Sequence, residues 1–233
     1  MPKRSIFTLS LPLAVLAGLP SGAAADRAFV VNSGDDDVTV VDTGTEAVLG
    51  SDIPVGETPE RIAMHPEGTR AYVTNAEDNT VSVIDTEKEE VEGAPIAVGN
   101  SPSGIAITPE DSLAFVSNAG DNTVSVIDIE KEEVDETIES ELGESPTGIA
   151  ITPDGEYAYV ANSVSNDVSV IEVEGEVASS GLAVSALGPV ASGVVTPSIE
   201  VGNTPFDIAF TEVPGPEGGE EEGVSTGFRG SVL

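Results

Sequence analysis

The sequence predicts an all-β fold built from a repeated four-stranded unit, on three observations. First, an Asn recurs at intervals of 43, 43 and 44 residues, at Asn32, Asn75, Asn118 and Asn162. Second, short runs such as TVSVID (residues 123–128) alternate at period two, as half-buried strands do. Third, turn-forming residues separate these runs at every step. A period of this length is typical of propeller blades or solenoid units.

Each unit predicts four short strands in the same order. The first is GIAITP at residues 104–109, and the second is AFVSN at 114–118. The third is TVSVID, and the fourth is a looser stretch that ends in Val-Gly, as at residues 95–99. No helical pattern interrupts the series. Four-stranded antiparallel blades are therefore the natural interpretation.

The turns between these strands carry their own signals. We expect Gly to supply a positive φ in PEGT (66–69) and PDGE (153–156). We expect the recurring Asn at the end of the second strand to adopt a left-handed or Asx-turn conformation, and the Asp that closes the third strand to act in the same way. These Asp residues are Asp42, Asp85 and Asp128.

One stretch, Tyr72-Val73-Thr74-Asn75, spells YVTN. The repeat resembles the YVTN-type β-propeller repeat of exported bacterial proteins and archaeal surface-layer proteins. The resemblance extends over residues 27–211 and implies a propeller, usually one of seven blades. Because propellers host many functions, it implies a fold more than an activity.

The repeat predicts about four blades here. It begins at a second strand, residues 27–32, and finishes with a lone first strand, residues 206–211. These two strands can share one blade and close a four-bladed ring. The alternatives are an open arc that pairs with a second chain, or an incomplete piece of a longer propeller. Open strand edges invite pairing.

Three segments lie outside this pattern. Residues 1–25 have a basic start, an apolar run and a small-residue cleavage site, which predicts a signal peptide and export to the periplasm or cell surface. The propeller domain is then 26–211. Residues 212–233 have the composition of an acidic disordered tail. After cleavage of the signal we expect no stable membrane span.

An uncharged insertion at about residues 177–196 interrupts the last blade between its third and fourth strands. It predicts either a flexible small-residue loop or an apolar contact surface for a protein partner or a second copy. The contact residues would be Leu182, Val184, Leu187 and Val190.

Composition excludes several classes of function. There are 42 Asp and Glu against 8 Lys and Arg, a net charge of −34, which disfavours binding to nucleic acid. The absence of Cys excludes disulfides and thiolate chemistry. The acidic surface fits either adaptation to high salt or a cationic partner, and the sequence leaves both open.

Positions that break the repeat are the best candidates for a site. At the start of the first strands, Arg61 and Asp207 replace Gly, with Glu60 and Phe206 beside them. We expect these four residues to bind a ligand on the loop face, with Asp207 facing Arg61 across a closed ring. The only histidine, His65, replaces a repeated Thr, so a structural role is expected.

The densest carboxylate cluster is Asp35, Asp36 and Asp37. Calcium binds such oxygen clusters, although no EF-hand spacing is present, and a solvated acidic rim is the alternative. No other cofactor is predicted. The sequence therefore favours a non-catalytic binding or scaffold module for a protein or small ligand. The alternative that the resemblance implies is a lactonase-like or redox-associated propeller enzyme with its site on the acidic loop face.

Overall fold

The computed structural model describes residues 27–110, 112–139, 142–174, 190–194 and 198–210, and all regular structure within them is β-strand. The strands form four antiparallel sheets, which confirms the all-β prediction. The first sheet has β1 (Arg27–Asn32), β2 (Asp37–Asp42) and β3 (Ala47–Pro54). The second has β4 (Pro59–Met64), β5 (Arg70–Asn75), β6 (Thr80–Asp85) and β7 (Glu90–Ala97).

The third sheet has β8 (Pro102–Ile107), β9 (Leu113–Asn118), β10 (Thr123–Asp128) and β11 (Glu133–Ile138). The fourth has β12 (Pro146–Ile151), β13 (Tyr157–Asn162), β14 (Asp167–Glu174) and β15 (Val190–Val194), with β16 (Ile199–Glu200) also paired to β14. Residues 175–189, where most of the predicted insertion falls, lie between β14 and β15 and outside the described residues.

The sheets stack in chain order as the blades of a propeller-like arc. The inner strands β4, β8 and β12 contact one another in sequence. One apolar core lies between each pair of neighbouring sheets. In the first of them Val38, Val40 and Ile53 pack against Val73 and Ile84 of the next sheet. Each blade buries its faces only against its neighbours, which explains why the unit must repeat.

The first sheet has no inner strand. In the part of the chain that the structure describes, β1 pairs only with β2, and residues 205–210 join no strand ladder. The described sheets therefore form a propeller-like arc, and no strand ladder joins residues 27–32 to residues 206–210 among the described residues.

The prediction for Gly in the turns is confirmed, since φ is +71° at Gly68 and +77° at Gly155. The prediction of a left-handed conformation for the recurring Asn is wrong. The Asn75 side chain is buried, and its Nδ2 donates hydrogen bonds to Thr80 Oγ1 (3.0 Å) and Ser82 Oγ (2.9 Å). The positive φ falls instead four residues later, at Asp36, Asn79, Asn122 and Asn166. The extended Asn can therefore bridge two strands while the following turn takes the left-handed residue.

The Asp that closes each third strand does form the predicted turn. Asp85 Oδ1 accepts hydrogen bonds from the backbone N–H groups of Glu87 (3.0 Å) and Lys88 (2.9 Å). The predicted signal peptide and acidic tail lie outside the described residues. No helix in the described ranges is long and apolar enough to cross a membrane.

Candidate functional site

The loop face is formed by the turns between second and third strands together with the connectors that lead into each inner strand. One connector residue in each repeat has a positive φ. Its backbone N–H donates a hydrogen bond to the side-chain oxygen of the left-handed residue in the preceding blade. Thus Ser101 N–H donates to Asn79 Oδ1 (2.9 Å), and Ser145 N–H donates to Asn122 Oδ1 (2.8 Å). The other two pairs are Thr58 with Asp36 (2.9 Å) and Thr204 with Asn166 (2.7 Å). These bonds join consecutive blades.

In a second set of hydrogen bonds, backbone N–H groups of the same connectors donate to Asp carboxylates in the following blade. Glu57 N–H donates to Asp78 Oδ2 (2.8 Å), and Asn100 N–H donates to Asp121 Oδ2 (2.6 Å). The carboxylates of the predicted acidic rim are therefore partly engaged in holding the loops together. Sequence reasoning missed this role, although the Asp or Asn at fixed spacing from each connector was a usable signal.

The three carboxylates proposed for calcium lie at the turn between β1 and β2. Asp36 Oδ1 accepts a hydrogen bond from Thr58 N–H (2.9 Å), and Asp37 Oδ1 accepts one from Asn32 Nδ2 (2.7 Å). Within the described ranges, no group of three or more His, Cys, Asp or Glu is placed to hold a metal ion. A calcium site at Asp35, Asp36 and Asp37 stays a prediction.

Arg61 lies near the start of the inner strand β4, at the centre of the loop face. Its guanidinium carbon is 4.8 Å from the centre of the Phe206 ring, and its Nη2 is 4.0 Å from Asp207 Oδ2. Glu60 and Phe206 line the same cleft of about 210 Å³. The structure thus brings the four predicted residues to one place, where the segment that follows the fourth sheet meets the inner strand of the second sheet.

Two further hydroxyl groups, those of Ser103 and Thr147, lie beside this cleft. Ser103 Oγ lies within hydrogen-bond distance of Pro146 O (3.1 Å), and Thr147 Oγ1 lies within that distance of Pro205 O (3.3 Å). They occupy the repeat position of Glu60 and Phe206, so the repeat alignment of the sequence already places all four residues near the start of the first strands. Both groups link neighbouring inner strands, and both residues line the cleft.

His65 lies just beyond the other end of β4, about 13 Å of extended chain from Arg61 at about 3.3 Å per residue. Its Nδ1 accepts a hydrogen bond from Glu67 N–H (3.3 Å), and its carbonyl accepts one from Gly68 N–H (2.7 Å). The histidine is thus part of the β4–β5 turn and does not face the Arg61 cleft.

Ion pairs occupy this opposite end. Arg70 lies 3.2 Å from both Glu92 and Glu132, which joins the second and third sheets. A depression of about 600 Å³ opens beside them. The partner-contact residues Leu182, Val184 and Leu187 lie outside the described residues, and the side chain of Val190 is not described either. Their role stays a prediction.

Four antiparallel sheets that stack in chain order around their inner strands are the architecture of a β-propeller. The chain belongs to the family described as "Lactonase, 7-bladed beta-propeller", which matches residues 22–191. The YVTN-type assignment is a finer one that this match leaves as a prediction. A comparison with curated proteins found no match.

Two solved structures that are similar to this chain are named for different enzymes. Hydrazine synthase of Kuenenia stuttgartiensis is 33% identical, with a TM-score of 0.58, over 63% of this chain and 42% of that one. A putative 6-phosphogluconolactonase from Bacteroides uniformis ATCC 8492 is 15% identical, with a TM-score of 0.62, over 77% of this chain and 52% of that one. The latter likeness shows the fold alone. The chain spans about half the length of these two structures or less.

Proposed function

We propose that this chain is an exported, non-catalytic binding propeller that holds a small anionic ligand in the Arg61 cleft. The observation that carries the proposal is the placement of Arg61 over Phe206 in a strongly acidic protein. A guanidinium presents several N–H donors to a carboxylate or phosphate, while the aromatic ring offers an apolar surface. The 4.0 Å separation from exposed Asp207 is a loose pairing that a ligand anion can replace.

The chemistry of the other cleft residues supports binding rather than catalysis. The hydroxyls of Ser103 and Thr147 have backbone carbonyls of the neighbouring inner segments within hydrogen-bond distance, so their recorded contacts are structural ones. The family match nevertheless favours a second candidate, hydrolysis of a lactone at the same cleft. In that case Glu60 would act as the general base and Arg61 would stabilise the developing oxyanion.

One titration series tests the ligand site. The probes are gluconate, 6-phosphogluconate and glucono-lactone, followed by NMR shift changes or calorimetry at moderate salt. We expect saturable binding of at least one probe, weakened about tenfold or more in Arg61→Gln, since a lost charged hydrogen bond is worth about 1.5–3 kcal/mol. Arg70→Gln is the matched control, because the Arg70 side chain is 34% exposed against 36% for Arg61 and lies at the opposite end.

The same samples separate the two functions. Acid release from glucono-lactone above the spontaneous rate, lost in Glu60→Gln, would replace the binding proposal with the enzyme. Binding without turnover supports the binding module. No saturable binding of any probe, or equal binding by the Arg61→Gln and wild-type chains, would refute the ligand site.

Export to the periplasm or cell surface is part of the same proposal, as is a salt-adapted surface. The net charge of −34 is best tolerated where salt screens repulsion over about 3 Å, as at 1 M. Secretion of a tagged full-length chain, followed by N-terminal sequencing of the product, tests cleavage after residue 25.

A further inference from the structure

We propose that the ligand of the Arg61 cleft is a small apolar α-amino acid, with Arg61 holding its carboxylate and Glu60 holding its ammonium group. This inference rests on the proposed function, because it names the ligand of the same site. Both charged side chains line the cleft, and apolar residues form much of the remaining wall: Ala76, Pro102, Ala119 and Phe206. The cleft thus presents a cation, an anion and an apolar surface in one place.

A β-bulge explains why two consecutive residues of β4 line the same cleft. On a regular strand, Glu60 and Arg61 would point to opposite faces of the sheet. Adjacent residues of β5 pair with Pro59 and Arg61, so Glu60 is an extra residue in the β4–β5 ladder. Bulges of this kind redirect a side chain. A carboxylate and a guanidinium can therefore reach the cleft from Cα atoms that are about 3.8 Å apart.

The same repeat position carries a hydroxyl group in the third and fourth sheets. Ser103 Oγ lies 3.1 Å from Pro146 O, on the next inner strand. Thr147 Oγ1 lies 3.3 Å from Pro205 O, on the segment that follows the fourth sheet. A hydroxyl can donate a hydrogen bond to such a carbonyl, but an ionised carboxylate can only accept one. Glu60 therefore cannot make the link that its counterparts make, and its carboxylate needs a donor from elsewhere.

An ammonium group is the donor that fits this position. Within the ranges that the structure describes, the Glu60 carboxylate has neither a hydrogen bond nor an ion pair, and Arg61 contacts Phe206 and Asp207. An ammonium group supplies a positive charge and three N–H donors. An α-amino acid carries this group on the same carbon as its carboxylate, which suits two opposite charges that come from consecutive residues.

The size of the cleft limits the size of the ligand. Its volume of about 210 Å³ is below the range of about 300–1,000 Å³ that is usual for drug-sized ligands. Phe206 is 58% exposed at this place, so a ligand with an apolar side chain can remove part of the ring from water. These two observations favour a small apolar amino acid over a larger or fully polar zwitterion.

Calorimetry or NMR titration with three matched probes tests the assignment in the wild-type chain. The probes are leucine, isocaproate, which lacks the ammonium group, and isoamylamine, which lacks the carboxylate. We expect leucine to bind at least about tenfold more tightly than either analogue, because each analogue leaves one charged side chain of the cleft without its partner. This comparison needs no variant. Equal binding of leucine and isocaproate would overturn the amino-acid assignment.

Two variants locate the ammonium contact. Glu60→Gln keeps the length of the side chain and removes its charge, so leucine should bind about tenfold more weakly while isocaproate changes by less than about twofold. Glu57→Gln is the matched control, because Glu57 is also an exposed glutamate of the loop face but does not line the cleft. It should leave both affinities unchanged. An equal loss in the two variants, or a Glu60→Gln chain that keeps the preference for leucine, would overturn the role of Glu60.

The Arg61→Gln chain separates this inference from the proposed function. Gluconate presents a carboxylate alone, so we expect it to bind in the same cleft more weakly than leucine and to depend on Arg61 as leucine does. If gluconate and isocaproate bind through Arg61 and the ammonium group of leucine adds nothing, the anion site stands and the amino-acid ligand is overturned. If leucine, isocaproate and gluconate all fail to bind, both proposals are overturned.

Discussion

Strands β1 and β2 of the first sheet resemble β9 and β10 of the third sheet in sequence, but they have very different surroundings. Phe29 on β1 and Phe115 on β9 occupy the same position of the repeat. Phe115 is fully buried in the core between the third and fourth sheets, whereas Phe29 is only half-buried at the end of the arc. The comparison shows that a blade takes much of its stability from its neighbours, so equivalent residues contribute unequally.

The largest expected difference is in side-chain truncation. Phe115→Ala should lower the free energy of unfolding by about 3–5 kcal/mol, because it leaves a cavity in a sealed core. Phe29→Ala should lower it by about 1 kcal/mol, because part of that ring is already in water. Urea unfolding of both variants measures the two losses. Equal losses would show that the first sheet is as well enclosed as the third.

A smaller difference is expected in the loops. A Cβ added at Gly99 would lie 2.6 Å from the side chain of Asn118, which bridges β9 and β10. Gly99→Ala should therefore lower the free energy of unfolding by about 1–3 kcal/mol through overpacking.

Gly34, in the turn between β1 and β2, is the matched control. Nothing lies within 4 Å of a Cβ built there, so Gly34→Ala should change stability by less than about 0.5 kcal/mol. Thermal unfolding of the pair makes the measurement. If Gly99→Ala leaves the stability unchanged, the connector before β8 can shift as freely as the turn between β1 and β2.

The smallest difference concerns pH. Burial opposes the charged form of Asp128, but hydrogen bonds from Lys131 Nζ (2.6 Å) and Lys131 N–H (2.9 Å) hold its pKa below the ordinary value. Hydrogen bonds from the Thr45 backbone and side chain likewise lower the pKa of the Asp42 carboxyl in the first sheet. A lowered folded-state pKa stabilises the fold above the unfolded value of about 3.9, and this stabilisation is lost as pH falls through the folded value.

Asp128→Asn should therefore lower the free energy of unfolding by about 1 kcal/mol at pH 7. At pH values well below the folded-state pKa of Asp128, the variant and the wild type should be equally stable. Asp42→Asn should change stability in the same direction by a smaller amount, because the hydrogen bonds that lower the Asp42 pKa come from Thr45 and Gly44 and not from a lysine. Urea midpoints of the two variants and the wild type, measured from pH 7 to pH 2, provide the test. If the stability difference between Asp128→Asn and the wild type grows as the pH falls, the assigned direction of the Asp128 pKa shift is wrong.

Much of the fold could be predicted from the sequence because its causes are local. The register of the repeat located the strand at residues 27–32 to the residue, and Gly68 and Gly155 take the expected positive φ. The position of Arg61 near Asp207 was also predictable, because both residues break the repeat at its inner strand.

The role of the recurring Asn was not predictable in the same way. Its partners are side chains on the next strand, and the left-handed residue in the following turn binds a connector more than 20 residues away. Neither relation is visible in a local pattern. Both become detectable only when the blades are aligned on one another and the polar positions are compared.

The sequence by itself determined the four-stranded unit, its period, its turn chemistry and the acidic character of the surface, because alternation, Gly and Asx turns and charge act over a few residues. Only the tertiary structure decided that the described sheets form a propeller-like arc in which the outer face of the first sheet is partly exposed. The angle between blades is the sum of many small packing and connector contacts, and no single residue encodes that angle.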